Sequence, residues 1–209
     1  MNEKLNSLRE IAESIFANST QKKYWEHTKR VFAYAKTIGI AEKADLNILL
    51  PAVLLHDIGM TVDATYTGHV IKSQLLAKGI LKSFDYNDIE IESINKVIAA
   101  HNVSPGVALN SLEEKILFDA DSMEIIGVFG ALRWIGSLPA TLKELNSSIN
   151  LFLSIVEKCN EARGSLFYTE TGKKLGNSAV EFSILYYNRL KEHIMQFDDD
   201  NNNPCPLSL

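Results

Sequence analysis

Cysteine is scarce in this chain: two occur in 209 residues, Cys159 and Cys205, with no CxxC pair and no zinc-finger spacing. That argues against a disulfide framework and against a structural zinc site. Clustered positive charge is also missing. The net charge is −5 and the lysines are scattered, so there is no electrostatic footprint for a DNA or RNA polymer. No uncharged apolar run approaches membrane-spanning length, and Glu3, Lys4, Arg9 and Glu13 occupy the first turns, where a secretory signal would be apolar. These absences predict a cytoplasmic protein that acts away from membranes and nucleic-acid polymers. Strand-like alternation is missing throughout, which leaves helices as the expected elements.

What is present is an apolar fraction of 46%, typical of a globular protein, on a chain long enough to bury a large core in one domain. Leu5 to Phe16 follows the helical period and breaks at Asn18-Ser19-Thr20. A second helix, about Gln21 to Ile38, puts Trp25, Thr28, Val31, Phe32, Ala35 and Ile38 on one face beside His27, with Gly39 as its stop. A third runs from about Ala44 to Ile58, and Pro51 inside it should bend it or start its final turns. Gly68 to Gly79 and Asn87 to His101 are further helices, with Pro105-Gly106 beyond the second. Ser111 and Glu114 fit a capping box for a helix carrying Asp119 and Asp121. Leu151 to Ala162 and Ser178 to Phe197 are amphipathic, with Gly164, Gly172 and Gly176 in a loop between them. The domain is expected to end at residue 197. Asp198 to Leu209, acidic, Asn-rich and broken by Pro204 and Pro206, reads as a disordered tail. Ile125 to Leu132 with Trp134 is apolar all round, which points to core, with a homodimer interface as the alternative.

The chemistry starts at Ala52-Val53-Leu54-Leu55-His56-Asp57-Ile58-Gly59, where an apolar helix surfaces with an adjacent His-Asp pair and Gly59 suits a position just past its end. Taken alone, the pair reads more readily as an interior histidine and a capping carboxylate than as a metal site. Four helices, however, present His27, His56-Asp57, His101 and Asp121 in order, each near a helix end or an apolar face. Imidazoles with carboxylates make a mixed donor set suited to manganese, iron, cobalt, nickel, zinc or magnesium, and a bundle core is the place to hold it.

The order His27, His56-Asp57, Asp121, with the phrases LLHDIG and KILFDADSMEIIG, resembles the HD-domain superfamily of metal-dependent phosphohydrolases over about Tyr24 to Arg133. The resemblance implies an all-α HD-domain bundle with one or two divalent ions in its core. It implies His27, His56, Asp57 and Asp121 as ligands, with Asp57 able to bridge two ions. His69 and His101 fall where two-metal members carry extra histidines; alternatively His69 is an exposed helix-start residue and His101 contacts substrate phosphate. Asp119 lies about 200° around the helix from Asp121 and cannot face the same ion; it is expected at the solvent or behind the ligands.

The implied reaction is hydrolysis of a nucleotide or another small phosphoester by a metal-activated water, with Asp57 and Asp121 catalytic, Asp121 or His101 accepting the proton, and Lys115 or Arg133 stabilising phosphate. Met60 departs from the common form, in which a substrate-contacting lysine follows the His-Asp-Ile-Gly turn. Lys72, Arg163, Lys173 and Lys174 are lesser candidates to replace it, Asp63 is a candidate acid, and His193 is expected at the surface. Two other functions use the same residues: a di-iron oxygenase built on the six-residue set, and a non-catalytic module that binds a nucleotide or a partner protein.

Overall fold

The computed structural model describes residues 3–65, 68–104, 107–136 and 142–198, the side chains of 134–136, 142 and 196–198 aside. Helices dominate, and among the described residues there is no strand. Pro105 and Gly106, the side chain of Trp134, and residues 199–209 of the expected tail lie outside what is described.

Helix α1 (Glu3–Ala17) buries Leu5, Leu8, Ala12 and Phe16, the stripe its periodicity announces. Helix α2 (Lys23–Glu42) runs past Gly39, which is buried inside it. A Cβ at Gly39 would lie 2.7 Å from Leu49 Cδ2 and 2.9 Å from Leu46 Cδ2, so this glycine lets the next helix pack closely and does not stop its own. The stop is Lys43, at φ 61, whose N–H reaches the carbonyls of Gly39 and Ile40. Asp45 then caps α3 (Leu46–Leu55), its side chain accepting from the Asn47 N–H.

Helix α3 is the centre of the molecule. Every residue from Leu49 to Leu55 is buried, Pro51 included, and α1, α2, α5 and α6 pack around it. A stretch with no solvent face needs no amphipathic stripe, which is why residues 49–55 are uniformly apolar. It ends before Ile58, and a 3₁₀ turn follows over Ile58–Thr61. Gly59 lies in that turn without a positive φ. Its reason is contact: a Cβ there would meet His69 O at 2.0 Å and Ser73 N at 2.5 Å.

Helices α4 (Gly68–Ser83) and α5 (Asp88–Ala100) pack on each other, and the 3₁₀ turn lies against α4. Helix α4 continues through Gly79, where nothing crowds the backbone. Capping boxes start α5, from Asn87 and Glu90, and α6 (Leu112–Ser122), from Ser111 and Glu114. A short 3₁₀ turn over Met123–Ile125 leads into α7 (Gly127–Gly136). That helix is not simply core: Val128, Phe129 and Leu132 are exposed, because α7 packs mainly on one side, against α9.

Helices α8 (Leu142–Arg163) and α9 (Glu170–Asp198) are both longer than their sequence patterns suggest. Gly172 and Gly176, expected in a loop, are helical; a Cβ at Gly172 would meet Asp119 Oδ2 at 2.3 Å, and one at Gly176 would meet Phe167 Cζ at 2.2 Å. Here too the glycines mark close approach. The principal buried cluster extends from Leu5 on α1 to Ile194 on α9.

Candidate metal centre

Six side chains from five consecutive helices meet beside α3. Helix α2 supplies His27, the end of α3 supplies His56 and Asp57, and α4 supplies His69. The residue after α5 is His101, and α6 contributes Asp121. Four imidazoles and the Asp57 carboxylate are buried, His56 completely. Asp121 is the outermost, with 30% of its side chain exposed.

Asp57 lies in the middle and divides the set. Its Oδ2 is 3.5 Å from His27 Nε2 and 3.7 Å from His56 Nε2. Its Oδ1 is 3.5 Å from His69 Nε2 and 3.6 Å from His101 Nε2. Two groups of potential ligands result, His27, His56 and Asp57 on one side and Asp57, His69 and His101 on the other. Asp121 Oδ1 joins the first group, 3.1 Å from His27 Nε2.

Whether these residues suit a metal can be judged from their nitrogens. His27 Nε2 and His56 Nε2 are 3.3 Å apart, and His69 Nε2 and His101 Nε2 are 3.1 Å apart. Two nitrogens at about 2.0–2.1 Å from one ion, 90–110° apart, are separated by about 2.9–3.4 Å. Each pair is therefore spaced as ligands of a shared ion. The far sides of the rings agree. His56 Nδ1 is 2.7 Å from Val53 O, His69 Nδ1 is 2.9 Å from Thr65 O, and His101 Nδ1 is 2.5 Å from Ile98 O. A carbonyl only accepts, so each Nδ1 carries the proton and each Nε2 lone pair points into the centre. The site fits one or two divalent cations bound by nitrogen and oxygen.

Local sequence explains the orientation. His56 and His101 both follow the last residue of a helix, so each ring can fold back onto the carbonyl three residues earlier. His69, expected at the surface in one reading, is buried because Gly59 lets the 3₁₀ turn approach α4 and donate its N–H to Ser73 Oγ at 2.9 Å.

The charges are interdependent. Burial opposes ionisation of Asp57, but neighbouring His56, His101 and His27 overcome it and hold the carboxyl well below the usual carboxylate range. Burial lowers the pKa of His56, whereas at His27 it is outweighed by hydrogen bonds to Asp121 and Glu124, which raise His27 to about 9. Asp121 is likewise lowered, the pull of His27 outweighing its burial.

Glu124 was not singled out by the sequence reading. It is 2% exposed, lies one turn beyond Asp121, and places Oε2 3.3 Å from His27 Nδ1. Arg30 clamps it with Nε 3.0 Å from both carboxylate oxygens and Nη2 2.8 Å from Oε2. The available signal was a lone acidic residue between the apolar Met123 and Ile126, three residues after a candidate ligand.

Other candidate residues take different places. Arg133 reaches the centre, its Nη1 3.2 Å from Glu124 Oε2 and 3.4 Å from His27 Nδ1. Lys115 lies one turn before Asp119, about 120° around α6 from Asp121. Asp119 is not at the solvent: it is fully buried and accepts from Tyr168 N at 2.7 Å, Thr169 N at 2.8 Å and Thr169 Oγ1 at 2.7 Å, fastening the start of α9 to α6. Burial pushes its carboxyl up to about 6 against the pull of those donors. Asp63 is partly exposed and held below the usual carboxylate range by hydrogen bonds from Thr65, so it is a poor proton donor. Arg163 bonds Leu166 O and lies over the Tyr168 ring, while Lys173 pairs with Glu170, both away from the cluster. Lys72, Lys174 and His193 are exposed, and Met60 is half-buried in the 3₁₀ turn.

Known proteins share this fold. The HD-domain family model matches residues 24–126. Among solved structures, a protein described as a predicted HD superfamily hydrolase from an uncultured Thermotogales bacterium is 25% identical, over 90% of this chain and 91% of its own, with a TM-score of 0.60. Bacillus subtilis YpgQ in complex with ADP is 23% identical, over 94% and 97%, with a TM-score of 0.68. A Lactobacillus plantarum protein is 20% identical, over 94% and 99%, with a TM-score of 0.72. None of the curated proteins matches the chain. With the His-Asp centre built inside the matched segment and the fold shared along nearly the whole length, the chain belongs to the HD-domain superfamily.

Proposed function

We propose that this chain is a metal-dependent phosphohydrolase with a two-metal centre bridged by Asp57, acting on a nucleotide or similar small phosphorylated compound. The observation that carries the reading is the split of the Asp57 carboxylate, Oδ2 toward His27 and His56 and Oδ1 toward His69 and His101. His27, His56, Asp57 and Asp121 would hold one ion, and Asp57, His69 and His101 the other. Bound divalent ions would acidify a coordinated water and neutralise charge on phosphoryl oxygens.

The chain's own residues supply the remaining steps. Asp121 is charged and is the most exposed of the six, so it faces an arriving substrate and is placed to take a proton from the attacking water. His101 is its alternative, but its burial makes it the weaker one. Arg133, with 38% of its side chain exposed beside Glu124, is positioned to meet phosphate oxygens. Lys115, on the Asp119 side of α6, receives no role. The nucleotide preference rests on the likeness to YpgQ, which binds ADP.

The test pairs elemental analysis of the purified protein with phosphate release from a panel of nucleotides and phosphoesters in manganese. Two divalent ions per chain and turnover that disappears in His56→Ala are expected. Two irons with oxygen consumption and no phosphate release would favour an oxygenase, for which four histidines around a bridging carboxylate are also a suitable set. Neither metal nor turnover would leave a binding module.

A further inference from the structure

The two halves of the centre differ in what stands behind their histidines. Behind His56, His69 and His101 the Nδ1 partner is a backbone carbonyl, which cannot turn away. Behind His27 it is a side chain, Glu124, and a competitor stands beside it: Arg133 Nη1 lies 3.4 Å from the same Nδ1. The two neighbours demand opposite things of that nitrogen. A carboxylate accepts only, so it requires a proton on Nδ1 and leaves the Nε2 lone pair for a metal; a guanidinium donates only, so it requires a bare Nδ1 and moves the proton to Nε2.

We propose that Glu124 is the positioning residue of the His27 metal position, holding His27 in the ligand tautomer against Arg133. Arg30 and Arg133 both bond Glu124, which keeps it ionised and fixed, and Arg133 Nη1 also reaches the Glu124 carbonyl at 3.3 Å. The acceptor capacity of Glu124 thus ties up the very group that would otherwise donate to His27. The cluster serves one ion position only, because the Oδ1 side of Asp57 has no counterpart to it among the described residues. The inference rests on reading the centre as a metal site, and it adds that the His27 half depends on a carboxylate that is not itself a ligand.

The experiment is Mn²⁺ titration, with affinity and stoichiometry read by calorimetry, on wild type, Glu124→Gln, Glu124→Ala and Glu124→Ala with Arg133→Ala, alongside the melting temperature of each without metal. Loss of such a ligand-orienting partner weakens metal binding about 10–100-fold. That loss is expected at one equivalent in both single variants, with the other equivalent nearly unchanged, and about tenfold or more should return when Arg133 is also removed. A role confined to holding the fold would change the melting temperatures without that return. Folded Glu124→Gln that binds both equivalents as wild type does would overturn the proposal, as would a loss that removing Arg133 fails to relieve. Wild type that binds no Mn²⁺, Zn²⁺ or Fe²⁺ would instead overturn the metal-site reading beneath it.

Discussion

At the scale of single residues, Asp57 carries more than any other group because both halves of the centre use it. Asp57→Ala is expected to strip both ions and abolish turnover, read by elemental analysis and phosphate release; a variant retaining two metals would refute the bridging role. Protonation gives a second expectation. His27 in the metal-free protein is raised from 6.5 to about 9, so the stability it contributes is complete below pH 6.5 and is lost as pH rises through 9. Melting of the metal-free protein should fall across that window. Metal uptake should move the other way, since the ion must displace the His27 proton, and affinity should climb about tenfold per pH unit until the proton is gone. Titrations at three pH values check both slopes. The sequence displayed His56 and Asp57 as candidate ligands because a His-Asp pair at the end of an apolar helix is conspicuous. It did not display Glu124, whose importance comes from Arg30, His27 and Arg133 on two other helices.

At the scale of elements, glycines and one aspartate show where helices touch. Gly59→Ala would drive a Cβ into the His69 carbonyl, 2.0 Å away, with no flexible side chain to yield. We expect about 2–3 kcal/mol of destabilisation by denaturant titration, and, since α4 must retreat with His69, weaker binding of the His69–His101 ion relative to the His27–His56 ion. Asp119→Ala acts elsewhere: it leaves three donors at Tyr168 and Thr169, two of them buried, without an acceptor, for about 3 kcal/mol. Both ions should still bind, because Asp119 faces away from the centre. The helical period placed the start of α5, and a capping box that of α6, well. Gly39, Gly172 and Gly176 read as breaks in the sequence yet lie inside helices, because a local pattern shows only that glycine weakens a helix, while packing shows that it allows contact; Gly79 is also helical, with nothing near it.

At the scale of the whole molecule, the candidate ligands come from five helices, the buried α3 among them, so metal would bind the folded chain far better than the unfolded one. Divalent metal at about a hundredfold over its dissociation constant should add about 2.7 kcal/mol and raise the melting temperature by about 5–10 °C. A chelator should reverse this, and Asp57→Ala should show no response. By itself, the sequence determined the all-helical class, the apolar α3 and the identity of the metal-capable residues, because these follow from local periodicity and from residue types that have few other uses. Only the tertiary structure decided which carboxylate oxygen faces which histidine pair, that His69 is buried, that Asp119 fastens α9, and that Arg133 stands against Glu124 and His27. Most of those relations join residues far apart in the chain, and helix packing, which no local pattern encodes, brings them together.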